Sequence, residues 1–279
     1  MDKLFCNGHT LDISVPVVMG ILNLTPDSFF DGGQYENPAK QLHRVEQMMA
    51  DGAPLIDIGA VSTRPGATEV SEKEELMRLL PSLDRIVKEF PHLILSVDTF
   101  RPEVARAAVE HGAGIINDIY GGRYHPDMIS TVASLKVPYI LMHMKGTPAT
   151  MQGTPEYKDI VAEVYYFFEN QLETCRSNGL SQVIIDPGFG FGKTVDHNFT
   201  LLSCLDLFKP LGVPLLAGFS RKSMINRVLG TTPDQALNGT TVLNTIALLN
   251  GARIIRVHDV KEAMETVLLV GRTLPASRF

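Results

Sequence analysis

The sequence contains no tryptophan, only three cysteines, and no apolar run approaching the roughly 20 residues needed to span a bilayer. Cys6, Cys175 and Cys204 are odd in number, far apart and outside any zinc-ligand spacing. A disulfide scaffold and a zinc centre are therefore excluded, and the thiols read as buried and reduced. Basic charge is also short: 25 Lys and Arg stand against 31 Asp and Glu, a formal net charge of −6, which argues against a nucleic-acid partner held by a general basic surface. The first residues, MDKLFCNGHTLD, lack a basic segment followed by an apolar stretch, so the expectation is a soluble protein of a reducing, cytoplasmic compartment with no membrane partner. The N-x-T triplets at Asn23, Asn198 and Asn238 are then chance occurrences. Low-complexity and Pro/Ser-rich stretches are missing as well, which leaves no linker. What is present is an ordinary globular composition, 44% hydrophobic and 20% charged over 279 residues, with ample chain for a large core.

Short apolar, β-branched runs recur at 16–23, 54–59, 93–98, 114–118, 137–143, 183–188, 213–220 and 252–258. Apolar on both faces, they read as strands of a fully covered parallel sheet. Between them lie helix-start signals at Asn37-Pro38, Ser71-x-x-Glu74, Pro102-Glu103, Thr154-Pro155 and Thr232-Pro233-x-Gln235, where a small polar side chain caps a backbone N–H or proline occupies the first turn. Helix stops are marked by Gly52, Gly112, Gly179 and Gly251, each shortly before the next strand. An open doubly wound sheet and a closed barrel both alternate in this way. Eight near-equal units favour closure, so the predicted fold is α/β, a single (β/α)8 barrel domain over residues 1–279.

In such a barrel the reacting groups sit at the C-terminal strand ends and in the loops that follow. Two sets of polar residues fall there. Asp98, Asn117 and Asp186 form an acceptor-bearing surface suited to a flat heterocycle with amino and ring N–H groups. Arg64, Arg221, Lys222, Arg256 and His258 form a cationic set. Because strands eight, one and two are neighbours in a closed barrel, Arg256, His258, Asn23 and Arg64 can converge on one anion. The run Gly188–Thr194 resembles a phosphate-binding P-loop, but that motif's first glycine would fall at Pro187, so the run is read as backbone turning after the sixth strand. Lys222, flanked by Arg221 and expected at a helix N-terminus, points to anion binding rather than a Schiff base.

The segments MGILNLTPDSFFDGG (19–33), STRPGA (62–67), SVDT (96–99), INDI (116–119), LMHMKGTPATMQ (141–152), DPGFGFGK (186–193), SRKSMI (220–225) and IIRVHDV (254–260) resemble, in order and over essentially the whole chain, those of the dihydropteroate synthases. The resemblance implies a barrel transferase of folate biosynthesis and a target of sulfonamides. It would join 6-hydroxymethyl-7,8-dihydropterin diphosphate to p-aminobenzoate with Mg2+ and assemble as a homodimer through the last helices. By the same resemblance Asp98, Asn117, Asp186 and Lys222 would bind the pterin, and Asn23 would bind Mg2+ and diphosphate. Arg64, Arg256 and His258 would hold the departing diphosphate. Thr63, Pro65, Phe191 and Ser220 would form the p-aminobenzoate pocket, and Asp31 would stabilise developing positive charge at the reacting carbon. Two positions depart from the pattern: Val61 stands where Glu is usual, and Phe30 where Ser is usual. A pterin-dependent methyltransferase would share the barrel and the acceptors but have no use for the diphosphate set. A non-catalytic pterin-binding paralogue would have shed cationic residues that are present here.

Overall fold

The computed structural model describes residues 1–24, 37–62, 70–146 and 155–273. It opens on an antiparallel hairpin, β1 (Lys3–Cys6) and β2 (His9–Asp12), turned by Asn7 and Gly8 at positive φ. The eight apolar runs then form β3 (Val17–Asn23), β4 (Leu55–Gly59), β5 (Ile94–Asp98), β6 (Ile115–Asp118), β7 (Tyr139–Met142), β8 (Val183–Asp186), β9 (Leu216–Ala217) and β10 (Ile254–Val257). All pair in parallel, in the order β8-β7-β6-β5-β4-β3-β10-β9. The ring closes between its two ends: Ile185 and Leu215 form a parallel bridge, and the Ile185 N–H donates to the Pro214 carbonyl at 3.0 Å. The fold is the (β/α)8 barrel.

The outer layer is α1 (Pro38–Ala50), α2 (Glu72–Glu89), α3 (Pro102–Glu110), α4 (Met128–Leu135), α5 (Ile160–Ser177), α6 (Val195–Ser203), α7 (Ser223–Leu229), α8 (Leu237–Leu249) and α9 (Val260–Thr273). Asn37 accepts the Ala39 N–H at 2.9 Å and Ser71 the Glu74 N–H at 3.3 Å, as their capping positions predict. Gly52, Gly112, Gly179 and Gly251 follow the last helical residues with φ of 104°, 99°, 78° and 102°. Two predicted starts are displaced. Thr154 lies outside the described residues and Pro155 precedes α5, which begins only after Asp159, whose carboxylate accepts both the Val161 and Ala162 N–H groups. The capping box of Thr232 and Gln235 closes a single 3-10 turn, and α8 starts beyond it.

Side chains alternate along each strand, so every second residue points into the barrel. The lowest inward layer is Met19, Leu55, Ile94, Ile115, Ile140, Ile184, Leu216 and Ile254, and the hairpin's Leu4, Cys6 and Leu11, with Ile13 just after it, pack against it from below. The hairpin is thus a plug for the N-terminal end of the barrel. Outward residues such as Val18, Ile56, Leu95, Ile116, Leu141 and Ile255 join the helices in the main core. Burial pushes the thiols of Cys6 and Cys175 up to about 12, so both are inert; Cys204, expected to be buried, is half-exposed at the end of α6. Among the described residues no helix is long and apolar enough to cross a membrane.

Candidate active site

Above the apolar floor the same alternation delivers polar groups. Leu55 leads to Asp57 and Gly59, Ile94 to Ser96 and Asp98, Ile115 to Asn117, Ile184 to Asp186, Met19 to Ile21 and Asn23, and Ile254 to Arg256 and His258. Strand geometry alone therefore gathers these side chains at the C-terminal mouth.

Asp57 is the hub, and the strand-end reading missed it because it sits mid-strand. It is fully buried, and its Oδ2 accepts from both Asn117 Nδ2 at 3.0 Å and Arg256 Nε at 2.7 Å. Arg256 Nη2 also lies 3.9 Å from Asp98 Oδ2. The cationic and acceptor sets are thus interleaved through Arg256 rather than separate. Burial works against the Arg256 charge, but Asp57, Asp98 and Asp186 outweigh it and hold its pKa above the ordinary value. A lone acid inside an otherwise apolar strand run, two residues from an inward Leu55, is the signal that identifies Asp57. Its Oδ1 and the neighbouring Ser96 Oγ have no hydrogen-bond partner among the described residues.

Burial and the nearby Asp57 charge push the Asp98 carboxyl up to about 8, against the pull of Arg256. Asp186 is raised by burial, opposed by Lys222 and by the Gly188 N–H, which donates to its Oδ1 at 2.8 Å. Lys222 is driven down to about 8 by burial, with Asp186 opposing, and its ammonium donates to the Phe189 carbonyl at 2.6 Å. A carboxyl and an amine that both titrate near neutrality can each act as donor or acceptor toward a heterocycle's N–H and carbonyl groups. The Asp98 shift also bears on stability. A raised acid takes up a proton on folding, so its contribution is fully present below about pH 4 and is lost as pH rises toward 8. Asp98→Asn is therefore expected to raise the Tm of the ligand-free protein at pH 8, with the gain vanishing at pH 4. Thermal melts at the two pH values check this, and an equal shift at both would count against it.

Ser220 and His258 form a second unit: Ser220 Oγ accepts the His258 backbone N–H at 3.1 Å and lies 2.9 Å from its Nδ1, while Arg44 from α1 donates to the His258 carbonyl. Asn23 ends β3 beside Gly59, where an added Cβ would lie 3.8 Å from both Asn23 Oδ1 and Asp98 Oδ2. Phe191 carries the Lys222 ammonium 4.9 Å from its ring centroid. Arg221 is not part of the cationic set. Its guanidinium forms a bidentate pair with Asp259, at 2.9 and 2.7 Å, and donates to the Pro233 and Asp234 carbonyls. Those bonds tie the turn after β9 to α8's approach. Asp31, Thr63, Arg64, Pro65 and Phe30 lie outside the described residues; Val61 is half-buried, and nothing around it explains its difference.

The glycine-rich run after β8 is backbone turning, as its sequence predicts. Gly188, Gly190 and Gly192 take φ of 67°, 84° and 58°, and Lys193 turns inward to donate to the carbonyls of His143, Gly188 and Phe191 at 3.0–3.1 Å. All three ammonium hydrogens have carbonyl acceptors, so Lys193 is a brace for the loop that bears Phe191, not a phosphate ligand.

A barrel whose mouth combines buried acceptors, a lowered lysine and a paired arginine defines an enzyme that takes a donor-rich heterocycle beside an anion. Similarity to known proteins narrows that class. The family described as pterin binding enzyme matches residues 19–258. The dihydropteroate synthase of Escherichia coli strain K12 is 46% identical over 276 residues, covering 98% of this chain and 97% of that one. The Yersinia pestis dihydropteroate synthase, solved with a sulfonamide drug, superposes with a TM-score of 0.94 at 44% identity, covering 97% and 98% of the two chains. The Xanthomonas albilineans enzyme with 4-aminobenzoic acid gives a TM-score of 0.90 at 42% identity, covering 98% and 99%. The chain belongs to the pterin-binding enzyme family, among its dihydropteroate synthases, and is a transferase.

Proposed function

We propose that the chain joins 6-hydroxymethyl-7,8-dihydropterin diphosphate to p-aminobenzoate, giving 7,8-dihydropteroate and pyrophosphate in tetrahydrofolate biosynthesis. The observation that carries this reading is the interleaved ring of Asp57, Asp98, Asn117, Asp186, Lys222 and Arg256 at one barrel mouth. Asp98, Asn117 and Asp186 accept from the pterin's amino and ring N–H groups, and Lys222 donates to its carbonyl and ring nitrogen. The bond from the methylene carbon to the diphosphate oxygen breaks, leaving a cation conjugated with the ring, and the aromatic amine attacks that carbon and then releases one N–H proton to solvent. Arg256 and His258, with Arg64 from the loop after β4, stabilise charge on the leaving diphosphate, and Asp31 stabilises the carbon. Phe191 and Ser220, with Thr63 and Pro65, flank the amine substrate. Methyl transfer from a folate would leave Arg256 and His258 no leaving anion to hold.

Magnesium suits this donor set. Asn23 offers a hard amide oxygen beside the side-chain-free Gly59, and substrate oxygens and water would complete the shell; among the described residues no group of three or more His, Cys, Asp or Glu is placed to hold a metal ion by itself. When bound, the ion supplies charge neutralisation on the diphosphate, and Asn23 would hold it. Pyrophosphate release that depends on both the pterin diphosphate and p-aminobenzoate tests the reading. Release without the amine indicates hydrolysis, and none at all a binding paralogue.

The outer helices support an assembly. Leu268 and Leu269 of α9 are 64% and 70% exposed, and Val242 and Leu249 of the adjoining α8 are exposed too. A cytoplasmic homodimer covers this apolar surface in our reading. Leu269→Asp is expected to halve the mass measured by light scattering after size exclusion; a wild type already at monomer mass would refute the dimer.

A further inference from the structure

Asn198, in α6, falls in one of the N-x-T triplets of the sequence, but it is only 2% exposed and its side chain is committed to the loop after β8. Its Nδ2 donates to the Thr194 carbonyl at 2.6 Å, which already accepts the Asn198 backbone N–H at 3.1 Å. That carbonyl has no need of a second donor. What the bond does is fix the amide's orientation and aim its oxygen at the loop. Asn198 Oδ1 accepts the Gly190 N–H at 2.7 Å.

The Gly190 N–H belongs to the same peptide as the Phe189 carbonyl, which receives the Lys222 ammonium at 2.6 Å. In a trans peptide the two groups point to opposite sides, so Asn198 and Lys222 hold one rigid plane by its two edges. That plane is the middle of a four-residue turn: the Phe191 N–H donates to the Gly188 carbonyl at 3.1 Å, and Gly190, in third place, has a φ of 84°, as a type II turn requires. Types I and II differ by a rotation of the central peptide through about half a turn, which would carry the Phe189 carbonyl to the other face. Lys193 does not prevent that rotation, because its acceptors are the His143, Gly188 and Phe191 carbonyls. The Phe189 ring, packed on Phe219 with centroids 4.3 Å apart, anchors the residue before the peptide but not the peptide itself.

We propose that Asn198 is a positioning residue for Lys222: by gripping the N–H edge of the 189–190 peptide it keeps the carbonyl edge toward the ammonium, and so sets where the ammonium stands against the pterin. The proposal rests on the reading of Lys222 as a pterin ligand. An ammonium that loses this carbonyl is drawn toward Asp186, the group that most favours its charge, and takes an acceptor from the pterin as it goes.

A double-mutant cycle tests it. Asn198→Leu removes the acceptor at similar volume, Lys222→Met removes the ammonium, and binding of a diphosphate-free dihydropterin is measured by calorimetry for each and for the pair. Each single variant is expected to weaken binding about 10-fold or more, and the double variant to lie within about twofold of Lys222→Met alone, because the two act through one contact. KM for p-aminobenzoate should stay within about twofold in Asn198→Leu, since Lys193 and Gly188 still hold Phe191. Asn198→Asp, whose buried carboxyl takes up a proton, keeps an acceptor for Gly190 and a donor for Thr194, and should restore dihydropterin affinity to within about threefold of wild type. Losses that multiply in the double variant, or a KM for p-aminobenzoate that rises in step with the dihydropterin Kd, overturn the proposal. A crystal structure of ligand-free Asn198→Leu should show the Phe189 carbonyl turned away from Lys222; a carbonyl still facing the ammonium overturns it as well. Should Asn198→Leu fail to fold, Asn198→Ala carries the cycle. If Lys222→Met alone leaves dihydropterin binding intact, the reading of Lys222 as a pterin ligand fails, and the crystal structure still decides what Asn198 positions.

Discussion

Arg256→Ala is expected to lower kcat/KM by about 10³-fold or more, with kcat falling at least as much as substrate affinity, and to destabilise the fold as well. The two effects have separate origins. In the proposed reaction Arg256 neutralises charge that grows on the diphosphate oxygen as the carbon–oxygen bond breaks, so its loss would be felt more in the transition state than in the bound substrate. Its removal also strands Asp57, which is fully buried and retains, among the described residues, only the Asn117 amide at 3.0 Å. Leaving one member of a buried pair uncompensated costs about 3–5 kcal/mol, or a Tm fall of roughly 6–20 °C at the usual 2–4 °C per kcal/mol for a large domain. Adding Asp57→Ala to Arg256→Ala should recover part of that stability and none of the turnover. A change in KM alone, with kcat intact, would sink the role of Arg256 in leaving-group stabilisation.

The sequence and the structure part company at instructive places. The barrel is legible because apolar strand runs, helix caps and stop glycines obey local physics, and all eight runs become barrel strands. The hairpin plug is not, since β1 and β2 are four-residue strands whose apolar members Leu4, Cys6 and Leu11 gain their meaning only from the barrel floor they meet. Strand ends point to Asp98, Asn117, Asp186, Lys222 and Arg256 without further help. Asp57 lies a level deeper, where period-two alternation rather than strand termini carries the information. Arg221 shows the opposite limit. Its neighbours in sequence suggest anion binding, but Asp259 from the next strand end claims its guanidinium, a pairing that only tertiary contact reveals. Lys193 belongs with it, a cation that sequence motifs link to phosphate and that the fold commits to three carbonyls.

Gly188→Ala is expected to be the most damaging small substitution near the site, with a stability loss above about 4 kcal/mol and a Tm drop of roughly 10 °C or more. At φ +67° the backbone already disfavours an L side chain, but strain of this kind alone costs only about 1–2 kcal/mol. Most of the loss comes from steric contact: an added Cβ would lie 2.0 Å from the His143 carbonyl oxygen. That carbonyl cannot retreat, because it accepts from Lys193 at 3.1 Å while the His143 N–H donates to the Asp186 carbonyl at 2.9 Å. The Gly188 N–H in turn holds Asp186 Oδ1, so the strain is delivered directly to the carboxylate we propose accepts from the pterin, and on that reading dihydropterin affinity should fall with stability. Gly190→Ala is the matched control. It sits at φ +84°, yet its Cβ would meet only the flexible Lys222 side chain at 3.3 Å, so it bears the backbone strain without the backbone clash. Thermal melts of the two variants decide the matter: a Gly188→Ala Tm within about 3 °C of wild type, or equal losses in both, would show that close approach of β8's turn to β7 is not what requires glycine there.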